Sequence, residues 1–209
     1  MITVVGSSKN RFLPLDGIRE RFLVDKPHAG DTIDSLNPYY CELTGMYYMW
    51  KNRTDDICGI EHYRRYFIDG RSLLGEAKIR TLLASHDIIL NPYHHPGNHV
   101  TYSWFVNAGK KADLDKWLIC VKAFEPDFFD TLWKYMISNK LYVCNMFVCT
   151  RPILDRWCSW LFDMLGKYDN LVGLGASNKR IDGYLAEHTL GAWCIWQKLR
   201  IAECEKKMV

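Results

Sequence analysis

The chain has 209 residues, enough for one sizeable core, and its 48% apolar and 24% charged residues are the balance of a globular domain. Its formal net charge is +3, with no dense Lys/Arg stripe, which excludes a nucleic-acid binder. No apolar run reaches the roughly 18 residues that a bilayer-spanning helix needs.

In chain order, "ITVV" (2–5) reads as a short buried strand that closes on the loop "GSSKN". "RFLVD" (21–25) reads as a second strand, and "KPHAGDTIDSLN" as a polar loop. Asn37 fits a helix N-cap with Pro38 at the first helical position, opening a helix through "YYCELTGMYYMWKN". "ICGIEHYRRYF" begins as a strand over 57–62, "GEAKIRTLLASH" has helical spacing, and "DIILN" (87–91) is a strand. "PYHHPGNHVTYSWF" reads as a loop. "ADLDKWLICVKAF" and "PDFFDTLWKYMIS" read as helices, "LYVCNMFVC" (141–149) as a strand, and "RPILDRWCSWLFDMLGKY" as an amphipathic helix. A glycine-containing loop, "DNLVGLGASNKR", leads to a last helix, "IDGYLAEHTLGAWCIWQKLR", and a short tail over about 199–209.

Strands alternating with helices predict an α/β domain with a mostly parallel sheet flanked by helices, one unit over 1–209. In such sheets ligands bind beyond the carboxyl ends of the strands, which gathers "GSSKN", "HYRR", "NPYHHPGNH" and the end of "YVCNMF" at one rim. The eight cysteines form no C-x-x-C and mostly sit in apolar runs, and Met1 leads straight into "ITVV" without a leader pattern. Free thiols in a reducing cytoplasmic compartment are therefore expected. The tail "ECEKKMV" reads as solvated or as a weak membrane-surface contact.

Several polar residues have two readings each. Arg64 and Arg65 would hold a pyrophosphate bidentately, or be two salt-bridged surface arginines. His94, His95 and His99 offer imidazoles to a transition metal, or decorate a surface loop. Asp31 and Asp34 fit a D-x-x-D cation site or ordinary turns. Glu42 caps its helix or pairs with Lys51 or Arg53. Glu187, in an apolar helix, is a desolvated general base or an ion-pair partner of Arg180.

Taken in order, these stretches resemble the DUF4422 family of bacterial glycosyltransferases. The matching residues are Gly30, Asp31, Ile33, Asn37, Tyr40, Glu42, Leu43, Thr44 and Trp50–Lys51–Asn52, then Gly59 and "HYRRYF" (62–67). "HDIILNP", "CNMFVCTRPILDRWCSWLFDML" and "RIDGYLAEHTLGAW" continue the resemblance to about residue 197. Asp34, Cys144, Asp182 and His188 depart from the pattern, and "PYHHPGNH" has no counterpart in it.

The resemblance implies a GT-A-like fold and transfer of a hexose from a UDP-sugar, with galactose, pyranose or furanose, as the leading sugar. The acceptor it implies is a glycan or lipid-linked glycan of capsule, exopolysaccharide or lipopolysaccharide O-antigen synthesis. That setting is cytoplasmic, with a peripheral contact at the inner face of the plasma membrane. Ser7, Lys9, Asp31, Asn37, His62, Tyr63, Arg64 and Arg65 are then the donor and diphosphate residues. Glu187, or second Asp182, is the base, while Glu42, Asn145 and Arg180 serve the acceptor or the structure. No D-x-D is present, so Mn or Mg on Asp31, His94 or His95 and metal-free stabilisation by arginine both stay open. Two other classes also stay open: a nucleotide-sugar or glycan-binding module without turnover, and a metal-dependent hydrolase using Asp31 and the histidine loop.

Overall fold

A computed structural model describes residues 1–93, 100–174 and 178–209. The strands are β1 (Ile2–Gly6), β2 (Arg19–Leu23), β3 (Ile57–His62), β4 (Arg65–Asp69), β5 (Ser72–Leu73), β6 (Ile88–Leu90), β7 (Phe147–Thr150), β8 (Ile201–Glu203) and β9 (Lys206–Met208). The helices are α1 (Asn37–Tyr40), α2 (Leu43–Asn52), α3 (Glu76–Leu83), α4 (Thr101–Asn107), α5 (Lys111–Phe124), α6 (Pro126–Met136), α7 (Arg151–Val172) and α8 (Ile181–Trp196).

The main sheet runs β2-β1-β3-β7-β6-β8. Along it β2, β1, β3, β6 and β8 share one direction, and β7 alone is reversed between β3 and β6. The expected mostly parallel α/β sheet flanked by helices is therefore present. Period-two alternation sends the strand side chains to two cores. Cys58, Ile60, Phe147, Cys149, Ile88 and Leu90 face the large helical core, which contains Trp117, Trp157, Trp193 and Tyr168. Val148, Ile89 and Ile2 face a smaller core with Phe67, Ile79 and Ala202.

Local chemistry sets the boundaries. Pro126 and Pro152 start α6 and α7, where a missing N–H is harmless, and Gly173 (φ 80°) ends α7 in a backbone region that favours glycine. All eight cysteines are unbonded. No helix among the described residues is long and apolar enough to cross a membrane.

Five stretches differ from expectation. The second strand starts earlier, at Arg19, because its register is fixed by pairing with β1 from Ile2↔Arg19. The helix after Asn37 breaks at Cys41 (φ 53°), and Asn37 is its first residue rather than its cap. "TYSWF" is helical, with Phe105 buried in the core. Only Phe147–Thr150 of the 141–149 stretch is strand, since Cys144 and Asn145 take left-handed φ of 80° and 48° that a ladder does not accept. The tail is not free. β8 pairs with β6 and β9 pairs with β4, and buried Ala202 joins the smaller core.

Candidate active site

β1 and β3 end side by side at Gly6 and His62, where the Tyr63 amide donates to the Val5 carbonyl at 2.9 Å. Beyond these carboxyl ends opens a cleft of about 680 Å³. Gly6, Ser7 and Asn10 form one side of it, and His62, Tyr63, Arg64 and Arg65 a second. Asn37, Cys41 and Glu42 come from the α1–α2 break, and Arg180, Tyr184 and Glu187 from α8. A smaller cavity of about 410 Å³ lies at the opposite end of these strands, around Met1, Ile57 and Arg80. That is the amino-terminal edge of the parallel strands, where ligands of such sheets do not collect.

The "EHYRR" stretch is a tight hairpin. His62 pairs with Arg65, so Tyr63 and Arg64 are the two turn residues between β3 and β4. Arg64 is exposed at the tip, with its guanidinium 5.7 Å from the Tyr63 ring centroid, and Arg65 is half-buried. Neither forms an ion pair among the described residues. The buried charge of this stretch is Glu61, on the other face of the strand. It accepts from Arg19 Nε at 2.7 Å and Nη2 at 3.0 Å, and from the Phe67 amide at 2.9 Å. That bidentate pair settles the cost of burying a carboxylate and leaves the two hairpin arginines to the cleft.

Glu42 does not pair with Lys51 or Arg53. Its Oε1 accepts from Asn145 Nδ2 at 2.8 Å, and the same amide donates to the Gly183 carbonyl at 2.9 Å. The left-handed turn at Cys144–Asn145 thus ties the α2 start to the first turn of α8. Non-glycine residues held in this region concentrate at functional sites. Glu187 lies across the cleft. Burial pushes its carboxyl up to about 7, and repulsion from Glu42 adds to this against a hydrogen bond from the Cys144 backbone and the charges of Arg65 and Lys206. Burial also lowers His62, outweighing the attraction of Glu42, so its ring is neutral at pH 7. Arg180, with a left-handed φ of 67°, hydrogen-bonds the Pro38 carbonyl through its amide at 3.0 Å, and its guanidinium lies 5.5 Å from the Tyr184 ring.

The structure thus brings together Ser7, Asn37, Glu42, His62, Tyr63, Arg64, Arg65, Arg180 and Glu187. Asn145 stands behind them, 1% exposed. Asn37 contributes to the rim, but its amide is committed to the Cys41 carbonyl (3.0 Å) and the Thr44 hydroxyl (3.3 Å), closing the helix break.

Three expectations are corrected. Asp31 is outside the cleft: its amide donates to Asn52 Oδ1 at 3.0 Å and its carboxylate accepts from the Tyr47 hydroxyl at 3.1 Å. Asn52 ends α2, ten residues from Glu42 and so about 15 Å along the helix. Gly30 (φ 100°) precedes it, where a Cβ would stand 2.1 Å from Asn52 Oδ1, so "GD" and "WKN" form a latch. For Asp34 the turn reading is the one the structure shows, since it accepts from the His28 amide at 2.8 Å. Lys9 is exposed and does not line the cleft. Asp182 is fully buried, with neither oxygen hydrogen-bonded among the described residues. It is pushed up to about 7 by burial and by Asp169, so no acceptor in the cleft reaches it. His94, His95 and His99 lie outside the described residues.

Sequence reasoning missed Tyr184, Asn10, Cys41 and Cys144 in the lining, and Lys206 beside Glu187. Tyr184 was findable, since residues 180, 184 and 187 follow the i, i+4, i+7 spacing of one helix face. Lys206 was not, because it arrives through the β4–β9 pairing. For a divalent cation, the cleft offers Glu187, His62, Cys41 and a Glu42 already bound to Asn145, with Asp31 elsewhere. No group of three or more His, Cys, Asp or Glu among the described residues converges to hold a metal. The described residues of the cleft do not fit Mn or Mg.

A family model described as "Domain of unknown function (DUF4422)" matches residues 4–198. No curated protein matches the chain. Among solved structures, the apo form of WbbM, described as a bifunctional glycosyltransferase, is similar with a TM-score of 0.85 at 22% identity. The match covers 100% of this chain and 45% of that one, so the chain spans less than half of its length, and the likeness shows the fold.

Proposed function

The chain belongs to the DUF4422 family, and from that premise we propose that it is a glycosyltransferase that moves a hexose from a UDP-sugar to a saccharide acceptor. The observation that carries this reading is one cleft at the carboxyl ends of β1 and β3 that holds three arginines, 64, 65 and 180, opposite a carboxylate raised to about 7. A UDP-sugar needs cationic donors for its diphosphate, and transfer needs a base for the acceptor hydroxyl.

Arg64 and Arg65 bind the diphosphate, and Arg180 closes it from the α8 side. Guanidinium groups keep their charge at any working pH and present paired N–H donors, so they stabilise the charge that grows on the leaving phosphate. Neutral His62 donates without adding charge, and Tyr63 offers a ring to the base or sugar. In an inverting transfer, the acceptor oxygen attacks the anomeric carbon and the bond to the β-phosphate oxygen breaks. UDP leaves with that electron pair, and the hydroxyl proton passes to Glu187. Galactose as the sugar, a lipid-linked acceptor of bacterial surface polysaccharide and a peripheral membrane position complete the proposal.

The test is UDP release from UDP-galactose and UDP-glucose with a hexose-terminated acceptor, with UDP affinity measured separately. Release that needs the acceptor supports a transferase. UDP binding without release supports a nucleotide-sugar-binding module, and release without acceptor at an equal rate supports a hydrolase.

A further inference from the structure

A second groove, of about 730 Å³, lies on the far side of the helical layer between α2, α7 and the end of α8. Its walls carry Trp50, Trp160, Trp193 and Trp196, and its rim carries Glu125, Arg156, Ser159 and Gln197. It is remote from the cleft. Trp196 is nine residues beyond Glu187 on α8, about 14 Å along the axis, and Trp50 is eight residues beyond Glu42, about 12 Å.

Its chemistry is specific. Trp50, Trp160 and Trp196 are partly exposed, with Trp50 stacked on Phe162 and Lys51 Nζ 3.6 Å from its ring centroid, while Ser159 and Arg156 are exposed beside them on α7. A pyranose ring presents C–H bonds whose slightly positive hydrogens suit the negative face of an indole. Its rim of hydroxyls needs the donors and acceptors that Ser, Glu, Arg and Gln supply. A second observation points the same way. Among the described residues, the indole N–H groups of Trp160 and Trp193, which both line the groove, are buried without a hydrogen-bond acceptor. Trp157 packs behind both, stacked on Trp160 with ring centroids 5.8 Å apart and tilted against Trp193 at 5.1 Å. Two unpaired buried donors in the lining of one groove mark a place where ligand oxygens would be satisfied. Arg156 lies 5.9 Å from the Trp193 ring centroid and donates to Gln197 Oε1, which places a polar pair at the groove's rim.

We propose that this groove is a second saccharide site, which holds residues of a hexose chain distant from its reacting end. It rests on the reading of the chain as a transferase that acts on a saccharide. The probes are three hexasaccharides, an α-1,4-glucan, a β-1,4-glucan and a β-1,4-galactan, titrated into the whole chain. The readout is the tryptophan indole N–H signals in NMR spectra, assigned with single Trp→Phe variants. The expected result is a saturable shift of the Trp160, Trp193 and Trp196 signals by at least one probe. Ser159→Arg, which fills the groove from an exposed position without touching the core, weakens it about tenfold or more. Glu187→Gln leaves it unchanged. No shift by any probe, or a shift that survives Ser159→Arg, overturns the proposal. Saccharide binding in a chain that neither binds nor releases UDP would overturn the transferase reading and keep the groove.

Discussion

In the proposed transfer Glu187 is the base, and its surroundings fix when it can act. Burial and Glu42 hold its carboxyl up at about 7, so it is a competent base only above that pH. The rate of transfer at limiting donor and acceptor is therefore expected to rise through pH 7 and to level off above it. Glu187→Gln should lower kcat by roughly a hundredfold to ten-thousandfold while UDP still binds, read by UDP release and by titration calorimetry. The same shift has an opposite effect on stability. A carboxyl whose folded pKa lies above its unfolded value binds more protons when folded, so its contribution is most favourable at low pH and is lost as pH rises towards 7. Asp182 follows the same rule without a place in the cleft, since burial and Asp169 push it up to about 7. Asp182→Asn should thus stabilise the fold at pH 8 by roughly 1–3 kcal/mol, little at pH 4, and leave transfer intact. Denaturant melts at the two pH values check this, and equal effects at both would contradict it.

At the scale of elements, the hairpin β3–β4 holds the arginines, and two distant segments hold the hairpin. From below, Arg19 of β2 neutralises Glu61 beside the turn. Arg19→Met would leave a buried carboxylate unpaired and is expected to cost about 3–5 kcal/mol, with Arg19→Met, Glu61→Gln recovering part of it. From the side, β9 pairs Met208 with Arg65, and the Val209 amide donates to the Arg64 carbonyl at 3.0 Å. Deletion of residues 205–209 should therefore weaken UDP binding several-fold more than it lowers Tm would explain, measured by calorimetry on the folded truncated chain. These two supports mark the limit of what the sequence reveals. The alternation of strands and helices, and the rim at "HYRR", are local signals carried by period-two and helical spacing. The tail read as solvated because "ECEKKMV" is short and polar, and only the edge of β4 makes it a strand. Asp31 looked like a ligand because a carboxylate in a loop carries no mark of its direction. Its latch on Asn52 spans 21 positions and depends on the glycine conformation before it. Asp182 and Glu187 lie on one helix in similar surroundings of sequence, and only packing decides which faces the cleft.

Across the whole molecule, the sheet ends and the helical layer gather different side chains. The carboxyl ends of β1 and β3 collect cationic and acidic groups around one cleft, and the far ends of α2 and α8 collect indoles around a groove. The central claim is that the cleft binds a nucleotide diphosphate through its arginines. Calorimetric titration of UDP into the native chain and into an Arg64→Ala, Arg65→Ala variant tests it most directly. The account predicts saturable binding to the native chain, and binding at least about tenfold weaker in the variant, the loss of charge-assisted hydrogen bonds worth about 1.5–3 kcal/mol each. Equal UDP affinity in the two proteins would contradict it.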